Sequence, residues 1–348
     1  MKYIFIFLLS LILSIVLTPL AKRLSFKFKV LDQPGRRKIH TKPIPLLGGP
    51  VIFLSFAIAF SFSGFEVSEL SGILTIGLTI VIFGLLDDTI VNVLARYKIW
   101  AHLLFSFIFI SLTGISFGLF QPDFVNWVVT ACFITFMTNS MNMLDGMDGL
   151  VSGVCFIASV FFFILAFNNN QPAVALIAIA IAGTTLGFLK YNFNPASVFL
   201  GEAGSTFLGF LMAVISVKLE VIKLWDIALI LNVPRLQIVS FVVPLVILGI
   251  PIFDTFFVFL NRFFHHVKFS TPGKDHSHHR IHLMGLSQKI TVLIVYSVQV
   301  VLGSIALTMA SSNFQQFLSL LLIVFVLAAF AWVFLTRVEV YAENRQTQ

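Results

Sequence analysis

Residues 139–150 read Asn139-Ser140-Met141-Asn142-Met143-Leu144-Asp145-Gly146-Met147-Asp148-Gly149-Leu150, a polar stretch between two long apolar runs. Asn139, Asn142, Asp145 and Asp148 recur every third residue. If the preceding helix continues for a further turn, they form one stripe of oxygens and amides along it. Gly146 and Gly149 then end that helix, because glycine tolerates positive φ and lets a ligand approach the backbone. The plainer reading is a polar re-entry turn between two membrane spans. It accounts for the glycines and asparagines but not for two carboxylates at a hydrocarbon edge, where ionisable groups are costly and usually functional.

The rest of the chain sets the context. Of its 348 residues 58% are hydrophobic and 11% charged, with 41 phenylalanines and a mean hydropathy of +1.01. That balance excludes a water-soluble fold. Cys132 and Cys155 both lie in apolar runs, which indicates packing and neither a disulfide framework nor a thiolate metal site. Windows long enough to span a bilayer fall near 4–20, 46–62, 72–86, 99–118, 126–140, 150–167, 173–189, 199–217, 240–260, 290–309 and 316–335. The first has its basic cluster after it and no small-residue cleavage site, so it reads as a retained span. The expected fold is therefore an all-α polytopic membrane protein of about eleven transmembrane helices, with residues 1–348 as one membrane-embedded domain.

Charge orients it. The loops at 21–45, 87–98, 190–198, 261–289 and 336–348 hold 18 of the 22 lysines and arginines. By the positive-inside rule these loops are cytoplasmic, the N-terminus outside and the C-terminus inside. The basic balance needs no nucleic-acid partner, and no motif for one is present. Asp87, Asp88, Asp145, Asp148, Glu202, Asp254 and Asp275 all fall on that same cytoplasmic side. A lipid or ion transporter places ionisable groups near mid-depth, often in repeated halves, and no such repeat is evident. A structural scaffold has no need for acid-bearing loops on one face. Chemistry at the inner membrane surface is the reading that fits.

Several constellations carry it. Asp87 and Asp88 end the third window, where the helix dipole disfavours acids, and as helix neighbours they diverge by about 100°, so they divide roles and do not chelate together. In residues 190–205, Asn192 and Asn194 offer amides, Phe199 a stacking face, and Glu202 a carboxylate between Gly201 and Gly204; small-residue packing explains the glycines but not the acid. The tract His276-Ser-His278-His279-Arg280-Ile-His282 suggests zinc, but its spacing fits no common structural site. With Lys274 and Arg280 interleaved it reads as a donor set for phosphate oxygens. The segment Arg36 to Gly49 brings Lys42 toward an anionic ligand.

Together, Asp87-Asp88, Asn139-x-x-Asn142-x-x-Asp145-Gly-x-Asp148-Gly-Leu, Phe199-Leu-Gly-x-x-Gly-Ser, Pro251-x-x-Asp254-Thr and His276-x-His278-His279-Arg280 resemble the polyprenyl-phosphate N-acetylhexosamine-1-phosphate transferases, over nearly the whole chain. That family includes the phospho-N-acetylmuramoyl-pentapeptide transferases. The histidine tract and Asp254-Thr255 are more similar to the WecA and TagO branch, which uses UDP-N-acetylglucosamine.

The resemblance implies transfer of a sugar-1-phosphate, GlcNAc-1-phosphate first among the N-acetylhexosamines, from a UDP-sugar to undecaprenyl phosphate. UMP is released at the cytoplasmic face of a bacterial inner membrane, initiating a cell-envelope glycan. It implies Asp87, Asp88, Asp145 and Asp148 as catalytic residues and Asp88, Asp148 and Glu202 as ligands of Mg²⁺, with Mn²⁺ as a substitute. For substrate it implies Lys42, Asn139, Asn142, Asn192, Phe199, His278, His279 and Arg280. A homodimer is left open. One departure stands out: the family usually has aspartate where this chain has Glu202, a reach longer by about 1.5 Å. A longer carboxylate adapts less readily to the short octahedral bonds of Mg²⁺.

Overall fold

The computed structural model describes residues 1–34, 42–64, 67–89, 93–120, 122–233, 236–268, 273–338 and 340. Arg235 and most of the basic run expected to lead into Lys42, residues 35–41, lie outside them. The chain forms α1 (Lys2–Phe28), the two-residue strands β1 (Leu31–Asp32) and β2 (Ile44–Pro45), α2 (Gly48–Ser61), α3 (Val67–Thr89), α4 (Ala95–Thr113), α5 (Asp123–Leu144), α6 (Leu150–Asn168), α7 (Pro172–Asn192) and α8 (Gly201–Lys218). Short helices α9 (Trp225–Ile230), α10 (Leu236–Ser240) and α11 (Val242–Ile247) lead to α12 (Gly249–Phe264), α13 (Ser277–Leu283), α14 (Gln288–Met309) and α15 (Phe314–Thr336). The antiparallel pair β1–β2 is a small addition to an otherwise helical fold.

Among the described residues seven helices are long and apolar enough to cross a membrane: α1, α3 from Glu69, α5, α6, α7, α14 and α15. This is an all-α polytopic membrane protein. The count differs from the eleven windows for physical reasons. Helix α2 has only 14 residues. The window at 240–260 is broken into α11 and α12, whose bent pair, counted from Leu236, turns by 80° and makes an eighth span only if taken as one. Gly249 weakens the helix at the break, and Pro251 has no N–H to continue the hydrogen-bond ladder.

Helix α8 is the axis of the bundle. Every residue from Glu202 to Val217 is buried, and α2, α3 and α5 pack on it. Because its neighbours are protein, its polar side chains must find partners within it: Thr206 Oγ1 donates to Glu202 O (2.6 Å) and Ser216 Oγ to Met212 O (2.7 Å). Close approach is bought with glycine. A Cβ at Gly84 of α3 would lie 2.5 Å from Ala203 Cα, and one at Gly49 of α2 would lie 2.6 Å from Ala203 Cβ. By contrast α15 turns Leu322, Phe325 and Phe330 outward, each more than 60% exposed, as a lipid-facing helix does.

The two ends of the bundle differ. At one, Lys218 at the end of α8 holds Glu69 at the start of α3 (2.8 Å), so these helices run antiparallel. At the other, the end of α3 meets the start of α8, and the polar motifs assemble there.

Candidate active site

The site is built from helix ends. Asp87 and Asp88, in the last turn of α3, point to different partners. Asp87 Oδ1 accepts the backbone N–H of Val93 (2.6 Å) and Oδ2 pairs with the Lys98 ammonium (2.6 Å) in the first turn of α4. Asp88 Oδ1 and Oδ2 accept the N–H groups of Glu202 (3.2 Å) and Ala203 (3.4 Å), the free donors at the start of α8. Gly201 makes room for this: it sits at φ +71°, and a Cβ there would lie 2.6 Å from Asp88 Oδ2. Glu202 is buried. Its Oε2 is held by the same Lys98 ammonium, and among the described residues its Oε1 has no hydrogen-bond partner.

The stretch 139–150 departs from its expected geometry. Helix α5 stops at Leu144, so Asn139 and Asn142 lie on it while Asp145 and Asp148 lie in the turn that follows. The backbone supports that earlier stop: Asp145 N–H donates to Asn142 O (3.2 Å) and Gly146 N–H to Leu144 O (2.7 Å). Gly149, at φ +78°, then starts α6. Asn142 Oδ1 accepts from Ser205 Oγ of α8 (3.0 Å). Asp148 Oδ2 accepts from Asn194 Nδ2 (3.0 Å) and Ala196 N–H (2.9 Å), and Asn194 Nδ2 also donates to Gln288 Oε1 (2.9 Å). No hydrogen bond to the Asp145 carboxyl is found among the described residues. Desolvation, then the neighbouring Asp88 and Asp148 carboxylates, push it up to about 8.

The histidine tract packs against this turn, with His279 Nε2 3.1 Å from where a Cβ on Gly146 would be. Asp254 of α12 organises it, taking His276 Nδ1 (2.7 Å), Ser277 N–H (2.7 Å) and Ser277 Oγ (2.5 Å). Burial alone would lower the His276 pKa, but the Asp254 carboxylate outweighs it and the pKa is raised. Burial, followed by repulsion from His276, lowers His279 to about 4. His278 is fully buried, and that burial holds its pKa well below the usual value. Its Nδ1 lies 3.9 Å from Asp254 Oδ1, too far for a hydrogen bond. Among these three histidines protonation is therefore favoured at His276 and disfavoured at the His278 and His279 expected to meet phosphate, while Arg280 keeps its charge.

Two other expected substrate residues are engaged elsewhere. Arg280 is 2% exposed: it donates to Asp275 O (3.2 Å), Leu335 O (3.1 Å) and Val338 O (2.7 Å) and lies over the Phe257 ring, tying α13 to the end of α15. Asn192 is buried, accepting from Ser152 Oγ (2.8 Å) and donating to Val198 O (3.0 Å). Asn139 donates to Thr135 O (2.7 Å), and its Oδ1 faces His102 Nδ1 (3.3 Å). Phe199 N–H donates to Pro45 O of β2 (2.8 Å), and Lys42 is exposed two residues before that strand. The sequence reading missed Lys98 and Gln288. Lys98's only signal was a lysine eleven residues after Asp87, opening the next helix.

Among the described residues no three His, Cys, Asp or Glu side chains are gathered as a metal-holding group, so the trio Asp88, Asp148 and Glu202 is not assembled as expected. Each is held otherwise, by the α8 backbone, by Asn194 and by Lys98. The chemistry of the site nonetheless fits a hard divalent cation. Asp145 is a carboxyl crowded by two others, and Glu202 Oε1 is a buried oxygen without a partner.

Comparison with known proteins supplies the family. Residues 70–220 match the model of glycosyl transferase family 4. The chain is 31% identical to a probable undecaprenyl-phosphate N-acetylglucosaminyl 1-phosphate transferase of Bacillus subtilis, over 92% of this chain and 88% of that protein. It is 31% identical to a phospho-N-acetylmuramoyl-pentapeptide-transferase of Bacillus cytotoxicus, over 62% of this chain and 73% of that protein, and 30% identical to that of Bacillus subtilis, over 62% and 74%.

Proposed function

The chain belongs to glycosyl transferase family 4, and from that premise we propose that it transfers N-acetylglucosamine-1-phosphate from UDP-N-acetylglucosamine to undecaprenyl phosphate, releasing UMP at the cytoplasmic face of a bacterial inner membrane. The observation that carries the reading is the convergence of Asp87, Asp88, Asp145, Asp148, Glu202 and Lys98, from four separate segments, at one end of a membrane bundle. The near-full-length likeness to the undecaprenyl-phosphate enzyme supports the acceptor and the sugar. The charge bias of the loops supports eleven spans with the N-terminus outside, α2, α4, α8 and the bent α11–α12 segment completing the seven long helices.

The reaction brings a lipid phosphate against a diphosphate, so stabilising negative charge is the main task. Asp145, with Asp88 and Asp148 beside it and Glu202 Oε1 free, is the set that would hold Mg²⁺, which when bound neutralises diphosphate charge and favours departure of UMP. Lys98 supplies a cation from the chain itself. The neutral His279 is available as a hydrogen-bond donor to the sugar or its phosphate, on a loop oriented by the His276–Asp254 pair. The acceptor phosphate, with a second pKa near about 6, is largely ionised at neutral pH. It therefore attacks the sugar-bearing phosphorus in line without a general base, and the carboxylates position and shield it.

Membranes containing the chain are to be incubated with labelled UDP-N-acetylglucosamine and undecaprenyl phosphate. A labelled lipid product with stoichiometric UMP is expected. Lipid product from another UDP-N-acetylhexosamine only would change the sugar, and no product from any would overturn the reading.

A further inference from the structure

Lys98 is a single ammonium shared by two acids from distant helices. It pairs with Asp87 at the end of α3 and with Glu202 at the start of α8, and the three side chains are 17%, 10% and 8% exposed. Asp87 has both oxygens engaged, since the other one accepts Val93 N–H. Among the described residues Glu202 does not: Oε2 is taken by Lys98, while Oε1 is buried without a hydrogen-bond donor, and the carboxyl beside it is that of Asp87. A buried carboxylate with one oxygen bare is costly unless something else is meant to meet it. The acids nearby, Asp88, Asp145 and Asp148, have no lysine or arginine among their described hydrogen-bond or ion-pair partners. One ammonium thus sits on the edge of a surplus of negative charge.

We propose that Lys98 is an internal counter-ion that competes with the divalent cation for Glu202: with the ion absent the ammonium latches Glu202 to Asp87, and ion binding releases it toward the anionic substrate. The idea rests on the ion-assisted transfer proposed above and adds a positioning and gating role for a named pair. Two features suit it. Glu202 has one more methylene than aspartate, the reach by which a residue fixed in the first turn of α8 meets an ammonium on α4. And the latch accounts for Glu202 standing outside any metal-holding group among the described residues, because it is drawn to Lys98. A lysine is suited to the exchange: it is a compact point charge on a flexible stem, with no bidentate fork to release.

The test needs no turnover. The full-length chain in detergent is titrated with Mn²⁺ alone, free Mn²⁺ being read from its electron paramagnetic resonance signal, with thermal unfolding as the folding control. Lys98→Met and Glu202→Asp, which break the latch from opposite sides, are each expected to bind Mn²⁺ about tenfold more tightly than wild type, as for removal of one competing ion pair. Adding Glu202→Gln to Lys98→Met should abolish the gain. Binding by Lys98→Met within about twofold of wild type or weaker, including no binding in either, overturns the latch, as does a gain that survives Glu202→Gln. If Lys98→Met does not unfold like wild type, Glu202→Asp decides by the same criterion. Absence of lipid product from wild-type membranes would instead refute the transfer and leave the Mn²⁺ result standing.

Discussion

The acid cluster around Asp145 and the histidine loop touch at Gly146, yet they treat charge in opposite ways. In the loop the strongest ionic groups are closed off. Arg262 grips Asp275 through two bonds (2.7 and 2.8 Å), Asp254 is filled by His276 and Ser277, and Arg280 spends donors on carbonyls of α13's flank and the end of α15. In the cluster, five carboxyl groups gather about one lysine, and among the described residues neither the Asp145 carboxyl nor Glu202 Oε1 has a hydrogen-bond donor. The first arrangement builds a rigid wall. The second leaves an electrostatic debt that only a ligand or ion can settle, which is the signature of a site, because folding alone gains nothing from it.

Substitutions should separate the two. The largest effect is expected for Asp145→Asn: UMP release falling by about a thousandfold, as for loss of a carboxylate aimed at the reacting groups, with an unfolding temperature unchanged or raised, since the cost of desolvating that carboxyl beside Asp88 and Asp148 is removed. Activity kept within about tenfold, or a clear loss of stability, would erase the contrast. Arg262→Ala should do the reverse, removing the guanidinium from the buried Asp275 carboxylate at a cost of about 3–5 kcal/mol in thermal unfolding. Arg280→Ala should cost about 2 kcal/mol of stability through three lost hydrogen bonds while the KM for the UDP-sugar stays the same; a raised KM with full stability would return Arg280 to the substrate.

The smallest effect is a pH dependence. His279 has its pKa lowered to about 4, so it contributes stability above its unfolded pKa near 6.5 that is lost as the pH falls through the folded value. His276 has a raised pKa, so its pairing with Asp254 contributes fully below 6.5 and is lost as the pH rises through its folded value. His279→Gln should therefore lose about 1–2 kcal/mol less than wild type between pH 7 and pH 4.5, and His276→Gln should flatten the alkaline limb. Thermal unfolding followed from pH 4.5 upward through the folded pKa of His276 distinguishes them, and parallel curves for wild type and both variants would mean that neither histidine is coupled as described.

What could be read from the chain alone was local or additive. Hydropathy over a window of residues and the placement of lysines and arginines established a helical membrane protein with its polar chemistry on one side, and every acid of the site was already conspicuous as a costly residue at the edge of an apolar run. The same local view erred where two physical rules competed. The three-residue period at 139–148 suggested a continuing helix, but the Asp-Gly pairs end it at Leu144; the apolar run at 240–260 suggested a straight span, but Gly249 and Pro251 bend it. Tertiary structure decided which charges are spent. That Arg280 and Asn192 are held inside, that His278 is neutral, and that Lys98 reaches Glu202 across 104 residues of sequence depend on which helices pack side by side. Ion pairs act over a few ångströms in space, whereas periodicity and hydropathy report only on neighbours along the chain.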